Sequence, residues 1–569
     1  MLTFPDSSAG FADATWESLA PYYRELEAAP LDRGNLEAWL ARWSRLDELV
    51  TEAASLAMIA YTCDTADETK KAAHLRFSTT ILPHLEEAEV ALARRFVAIG
   101  SDRADLQTAL KRFRSAIEIF REQNVPLVAE GEALGAQYQQ ITGTMTAEWG
   151  GERVPLPRLS PFLKSEERAV REAAWRAAID PYVATHDELA RVFDKMFELR
   201  QAIARNAGFA NFRDYAFVAK CRFDYTPADC EQLRDAIRQH VVPGIERALV
   251  HRRRRLGLES LRPWDLAIDP WRARSPVPYH DAAELTQVAA RIFAAVDPVL
   301  GSQFRTMMAE GLLDLESRPG KAPGGYCDTL HARGRPFVFM NAAGVAEDVT
   351  TLLHEAGHCF HAFASHSRPL IWQRHPGAES AELASMSMEL LASSHLAHPT
   401  GYYDAPDAMS TRLEHLEDVL MSLAHIASVD AFQDWIYTSG RGGESAERDR
   451  TWLRLREQFE PGIDWTGLRA QRIARWYRQL HIFLYPFYYI EYAIAQVGAL
   501  QVWRNARRDP VRAVEAYRRF LALGATRPLP ELYRAAEVTL SFDASMVGEL
   551  VTMIEEEMAD LRGALAKAA

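Results

Sequence analysis

A chain of 569 residues with 48% hydrophobic content is long enough to bury a large core and to form several domains or one lobed body. Its 65 Lys+Arg stand against 78 Asp+Glu, and the net charge of −13 excludes a general attraction to nucleic acid or to an anionic membrane surface. Five scattered cysteines (Cys63, Cys221, Cys230, Cys327, Cys359), a first stretch without a signal-peptide pattern and no unbroken apolar run of spanning length make the cytoplasm the expected location.

From Trp16 to about Leu134, runs such as "NLEAWLARWSRLDELVTEAASLAMIAY" repeat apolar residues at three- and four-residue intervals, the period of long amphipathic helices in a bundle. Residues 141–163 break that habit with β-favouring residues on both sides of Gly150-Gly151, and a hairpin is expected there. Helices resume with Ser165 as N-cap and Gly208 as stop. The basic run His251 to Arg255 reads as a solvated helix end. Two Pro- and Gly-rich loops follow between Pro263 and Pro336, then a short apolar strand, "FVFM", at Phe337 to Met340.

Directly after that strand comes "DVTTLLHEAGHCFHAF". Residues four apart on a helix lie about 40° from one another around the axis, so His354 and His358 share a face and can share a tetrahedral metal. Glu355 sits beside such a metal, in the place of a base for attacking water. The H-E-x-x-H pentapeptide alone is a pattern that chance supplies, and a catalytic zinc needs a third protein ligand. His361 shares the face, but three imidazoles along one helix span about 10 Å by rise alone, which leaves it behind the ligands or in a structural role. A carboxylate from the next helix, "ESAELASMSMELLA", is the remaining option: Glu382 as ligand, Glu389 one face-repeat later as the acceptor behind a ligand histidine, and Glu379 solvated at the helix start.

"HEAGHCFH", followed 24 residues after His358 by "ELASMSME", closely resembles the thimet oligopeptidase family of zinc metallopeptidases, and most of all its oligoendopeptidase F branch. "ESRPGKAPGGYC", "FVFMNAAG", "NAGFANFRDYAF" and "HIFLYPFYYIEYAIAQVGAL" extend the resemblance over most of the chain. It implies one Zn2+ per chain on His354, His358 and Glu382, with Glu355 as general base. It also implies a His and several Tyr near the scissile carbonyl, for which His481, Tyr485, Tyr488 and Tyr492 are the candidates, with Tyr489 matching the thimet spacing. From the residues themselves, Pro486 suits the first position of a helix on which Tyr488, Tyr489 and Tyr492 share a face, with His481 and Tyr485 in the loop before it.

The loop at Gly324, Gly325 and Tyr326 and the strand at Phe337 are candidates for substrate contact, the strand by pairing with an extended peptide. The expected architecture is a mostly α, two-lobed metallopeptidase with a deep central channel, a small β element near the zinc site, an N-terminal helical lobe over 1–200 and a catalytic lobe over 201–569. The expected activity is cleavage of internal bonds in short unfolded peptides. An exopeptidase of the same superfamily and a non-catalytic peptide-binding helical protein are the alternatives, and the oligomeric state stays open.

Overall fold

The computed structural model describes residues 2–272 and 276–568. Helices account for 71% of the chain and strands for 5%, so the protein is mostly α. The described strands are β1 (Thr146–Trp149), β2 (Glu152–Pro155), β3 (Leu313–Glu316), β4 (Tyr326–Leu330) and β5 (Arg335–Ala342). β1 and β2 form an antiparallel hairpin, with Thr146 opposite Pro155 and Trp149 opposite Glu152. Gly150 and Gly151 make its turn at φ +62° and +84°, a region that glycine enters without a Cβ clash. The second sheet has the order β3-β5-β4, parallel between β3 and β5 and antiparallel between β4 and β5.

The chain divides into two compact units, each made of three separate stretches. The first comprises Met1–Glu118, Pro276–Ala405 and Gly498–Leu540; the second comprises Ile119–Ser275, Pro406–Val497 and Ser541–Ala569. The expected cut between residues 200 and 201 does not coincide with this division, because it falls inside the helix His186–Asn206 of the second unit. Packing explains the difference. In the first unit Trp372, from the stretch after the H-E-x-x-H helix, meets Trp43 of the helix Leu36–Cys63 at 4.3 Å between ring centroids, which ties the N-terminal helices to the segment that follows the motif. In the second unit Phe193 meets Trp476 at 5.3 Å, so residues near 190 and 480 share one aromatic core.

One local expectation is corrected in the second unit. The stretch after Ser165 folds as two helices, Arg168–Ala184 and His186–Asn206, with Glu167 rather than Ser165 at the first N-cap and Gly208 at φ +91° after the second. The basic run closes its helix at the surface, as expected, with His251, Arg254 and Arg255 exposed and Arg252 the one of its five residues that is buried. Arg252 is buried against Glu417 at 2.9 Å and donates to the Leu266 carbonyl at 3.0 Å, while Arg255 donates to the Pro270 carbonyl and lies over Trp271. The Arg252 and Arg255 guanidinium groups cap loop carbonyls here, and Arg252 also pairs with Glu417.

Candidate active site

β5 ends at Ala342, and the helix Ala346–Ser365, which carries His354, Glu355 and His358, begins after three intervening residues. Asp348 in its first turn accepts hydrogen bonds from the backbone N–H of Ala343 at 2.8 Å and Val345 at 2.9 Å, and from the Tyr279 hydroxyl. These bonds satisfy donors of the strand-to-helix connection that would otherwise be orphaned, and they fix the angle at which the helix leaves the sheet.

The helix Ala378–Ala392 packs against the first one backbone to backbone. Gly357, between the two histidines, is the reason it can. A Cβ at that position would lie 2.5 Å from Ser385 Cα and 2.7 Å from the Ala384 carbonyl oxygen. The buried Tyr517 hydroxyl donates to that same Ala384 carbonyl at 2.8 Å. The close approach brings Glu382 between the histidines, with its Oε2 at 3.3 Å from His354 Nε2 and 3.7 Å from His358 Nε2. Ser385 Oγ holds that carboxylate from behind at 3.0 Å.

One donor atom from each of His354, His358 and Glu382 fits within a 4.8 Å span. Ligands at about 2.0–2.2 Å from a tetrahedral zinc are separated by about 3.3–3.5 Å, so the 3.3 Å spacing fits that ion and the 3.7 Å spacing is about 0.2 Å wider. Glu389 accepts from His354 Nδ1 at 2.6 Å, which fixes that nitrogen as the donor and makes Nε2, beside Glu382, the ring atom that would give up its proton to a cation. Glu355 is buried, and the Cys327 backbone N–H of β4 bonds to its carboxylate.

In the second unit, His481 lies in a short helix, Leu480–Leu484, and not in a loop. The next helix starts at Tyr489, three residues later than Pro486 suggests. Phe487 explains the delay: its φ of +61° breaks the helical path, and that left-handed conformation is held by Gln433, which accepts from the Phe487 N–H at 3.2 Å, and by Arg222, which donates to the Phe487 carbonyl. The turn gathers the rings around His481, with centroids of Tyr489 at 4.8 Å, Tyr485 at 5.8 Å, Tyr488 at 5.9 Å and Tyr492 at 6.2 Å. Tyr485 is 55% exposed, whereas the other members of the cluster are half-buried.

Comparison with known proteins decides what this arrangement belongs to. Residues 162–551 match Peptidase family M3, and residues 10–120 match the Peptidase M3 N-terminal domain. The chain belongs to peptidase family M3. An oligoendopeptidase F homolog of Borreliella burgdorferi is 23% identical over 441 residues, covering 74% of this chain and 72% of its own. The oligopeptidase PepF of Bacillus subtilis is 22% identical over 495 residues, 80% of this chain and 70% of its own. The solved structure of PZ peptidase A with an inhibitor superposes with a TM-score of 0.88 at 26% identity over 98% of both chains. The protein is a metallo-oligopeptidase of the oligoendopeptidase F branch, and M3 peptidases are in general zinc-dependent.

The charges of this M3 site are set by burial and by one another. Burial raises Glu355 to about 7, with the nearby Glu382 and Glu389 adding to the rise and His354 opposing it. Burial pushes His358 down to about 4. The same burial opposes a proton on His354, yet its hydrogen bonds to the Glu382 and Glu389 carboxylates outweigh it and lift that imidazole well above its ordinary value. Two carboxylates around one imidazole form a negative cradle that a divalent cation neutralises.

Other residues of the peptidase sit differently from their sequence reading. His361 stands outside the ligand group: it is buried, its ring lies 5.4 Å from Phe520, neither ring nitrogen finds a partner among the described residues, and burial, with His358 adding, drives it down to about 3. Of its two readings the structural one fits this placement. Glu379, expected in solvent, is buried. Phe337 is buried in β5, and β5 has neighbours on both sides, so this strand has no edge to offer a peptide and the expected strand addition there is withdrawn. Gly324 takes φ +100°, and its carbonyl is pinned by Asn341 Nδ2 at 2.9 Å. Tyr326 turns its hydroxyl to Thr62 Oγ1 at 2.6 Å and stacks on Phe339 at 4.9 Å, both contacts within the first unit. Gly357, Asp348 and Ser385 were not singled out from sequence. The small residue between paired histidines was the one signal that could have pointed to the helix contact.

Proposed function

We propose that the protein is a zinc-dependent oligoendopeptidase that cuts internal bonds of short unfolded peptides, with one zinc per chain held by His354, His358 and Glu382. The observation that carries this reading is the convergence of three metal-ligand atoms within 4.8 Å beside a buried carboxyl group, Glu355. When bound, zinc supplies Lewis acidity that acidifies water and polarises a peptide carbonyl. Glu355 takes the proton from the attacking water and passes it to the leaving amine nitrogen. Burial keeps its proton affinity near neutrality, where it serves both transfers. Glu389 keeps the His354 ring oriented with Nε2 as ligand atom.

His481, Tyr488 and Tyr492 are assigned to stabilise the oxyanion of the tetrahedral state, with Tyr485 as a further donor and Tyr489 as a substrate contact. The hydrogen-bonding chemistry of phenol and imidazole and the family resemblance support these roles. Gly324, Gly325 and Tyr326 are assigned to peptide contact on the same family ground. Among the described residues no helix is long and apolar enough to cross a membrane, and the acidic charge balance disfavours nucleic acid, so peptides met in the cytoplasm are the proposed substrates.

Mass-spectrometric mapping of products from end-blocked and free peptides of graded length, with and without a chelator, tests the reading. Chelator-sensitive cuts inside blocked peptides are expected. Cuts confined to free termini would make the protein an exopeptidase, and no chelator-sensitive cleavage of any peptide would remove the enzymatic reading.

A further inference from the structure

A chain of hydrogen bonds in the second unit ends on Tyr489, and its direction is fixed by a group that can only donate. Arg456 is buried in the helix Ser445–Phe459, where Glu460 accepts from its Nη2 at 2.6 Å. Arg472 and Arg475 also donate to Glu460, which anchors the cluster. Arg456 Nη1 lies 3.0 Å from His425 Nδ1 and 2.8 Å from Ser428 Oγ, and Ser428 in turn donates to the His425 carbonyl at 2.7 Å. A guanidinium has no acceptor atom, so His425 Nδ1 must present its lone pair.

The rest follows atom by atom. With Nδ1 accepting, the hydrogen of neutral His425 is on Nε2, which faces Gln479 Oε1 at 3.0 Å. Burial beside Arg456 keeps that imidazole uncharged, with its pKa pushed down to about 3. The Gln479 amide is thereby fixed with its oxygen toward His425 and its NH2 toward Tyr489, to whose hydroxyl oxygen Nε2 donates. Tyr489 therefore accepts from Gln479 and has its own hydrogen left to give. Its ring is half-buried, 4.8 Å from His481 and 5.7 Å from Tyr492.

We propose that Arg456, His425 and Gln479 are positioning residues that lock the Tyr489 hydroxyl as a hydrogen-bond donor to a carbonyl oxygen of the bound peptide. The role rests on the oligopeptidase reading above, whereas the direction of the chain does not.

Gln479→Glu tests it, since the change is nearly isosteric but replaces the group donating to Tyr489 with an acceptor that captures the tyrosine hydrogen. Gln479→Glu and Tyr489→Phe should each lower kcat/KM by about two- to tenfold, the range of one hydrogen bond, with melting behaviour retained. The double variant should be no worse than either single one. Losses that multiply in the double variant, or a Gln479→Glu protein as active as the parent, would overturn the proposal.

A readout independent of turnover is the 15N spectrum of labelled histidines in the parent protein, with the His425 signals identified by their loss in His425→Asn. Neutral His425 protonated on Nε2 is expected, and an Nδ1-protonated ring would overturn the assigned direction. A parent protein without chelator-sensitive hydrolysis would strike the functional reading instead and leave this spectrum to judge the chain of bonds.

Discussion

Replacing Gly357 by alanine isolates the contact on which the metal site depends. The new Cβ would lie 2.5 Å from Ser385 Cα, about 0.9 Å short of the 3.4 Å at which ordinary contact begins, and the atoms it meets are backbone. Backbone cannot rotate aside, so the helices must separate or slide by most of that distance. His354 Nε2 and Glu382 Oε2, now 3.3 Å apart, would move toward about 4 Å, beyond the separation of about 3.3–3.5 Å that one tetrahedral ion allows. Metal sites hold their distances to about 0.2 Å, and a weaker perturbation behind the ligands already lowers metal affinity by about 10–100-fold.

Global stability should respond less. Overpacking costs about 1–3 kcal/mol, and the better helix propensity of alanine returns about 1 kcal/mol. Gly357→Ala should therefore melt cooperatively at a modestly lower temperature while its zinc affinity, measured by competition with a chromophoric chelator, falls at least about tenfold together with kcat/KM. A Gly357→Ala protein that binds zinc as tightly as the parent would refute the claim that the 357–385 approach sets the ligand geometry.

Glu389→Gln keeps an acceptor for His354 but removes its charge, and should lower zinc affinity or turnover by about 10–100-fold while the fold persists, as chelator competition and melting can check. His331 is buried beside His375, Arg374 and His366, and burial, with these neighbours adding, pushes it down to about 2, so it stays neutral in the folded protein while the unfolded chain takes up a proton below about 6.5. Its contribution is present above that pH and lost as pH falls. Relative to His331→Asn, the parent should lose about 1.2 kcal/mol of unfolding free energy between pH 6 and 5 in denaturant titrations.

The parts of the site that helical period controls were legible in sequence. Four-residue spacing placed His354 and His358 together, and seven-residue spacing placed Glu382 and Glu389 on one face of the next helix. What the period cannot give is how two helices meet. In sequence Gly357 reads as any small residue, whereas the fold sets the Ser385 backbone against it, and His361, on the ligand face by angle, lies far enough along the axis to pack on Phe520 instead. The same limit hid the neighbours of β5, because an apolar run reads alike at an edge or in the centre of a sheet. It also hid the turn at Phe487, whose positive φ is imposed by Arg222 and Gln433 from distant parts of the chain. The division into units escaped for a related reason, since the aromatic contacts that define each core join stretches hundreds of residues apart.

Glu355→Gln, assayed for zinc content and for hydrolysis of an end-blocked peptide in the same preparation, tests the central claim most directly. Loss of the carboxylate proton carrier with the ligands intact should leave one zinc per chain and lower turnover by about 10²–10⁴-fold. A Glu355→Gln protein that keeps its zinc and hydrolyses the peptide at the parent rate would contradict the account.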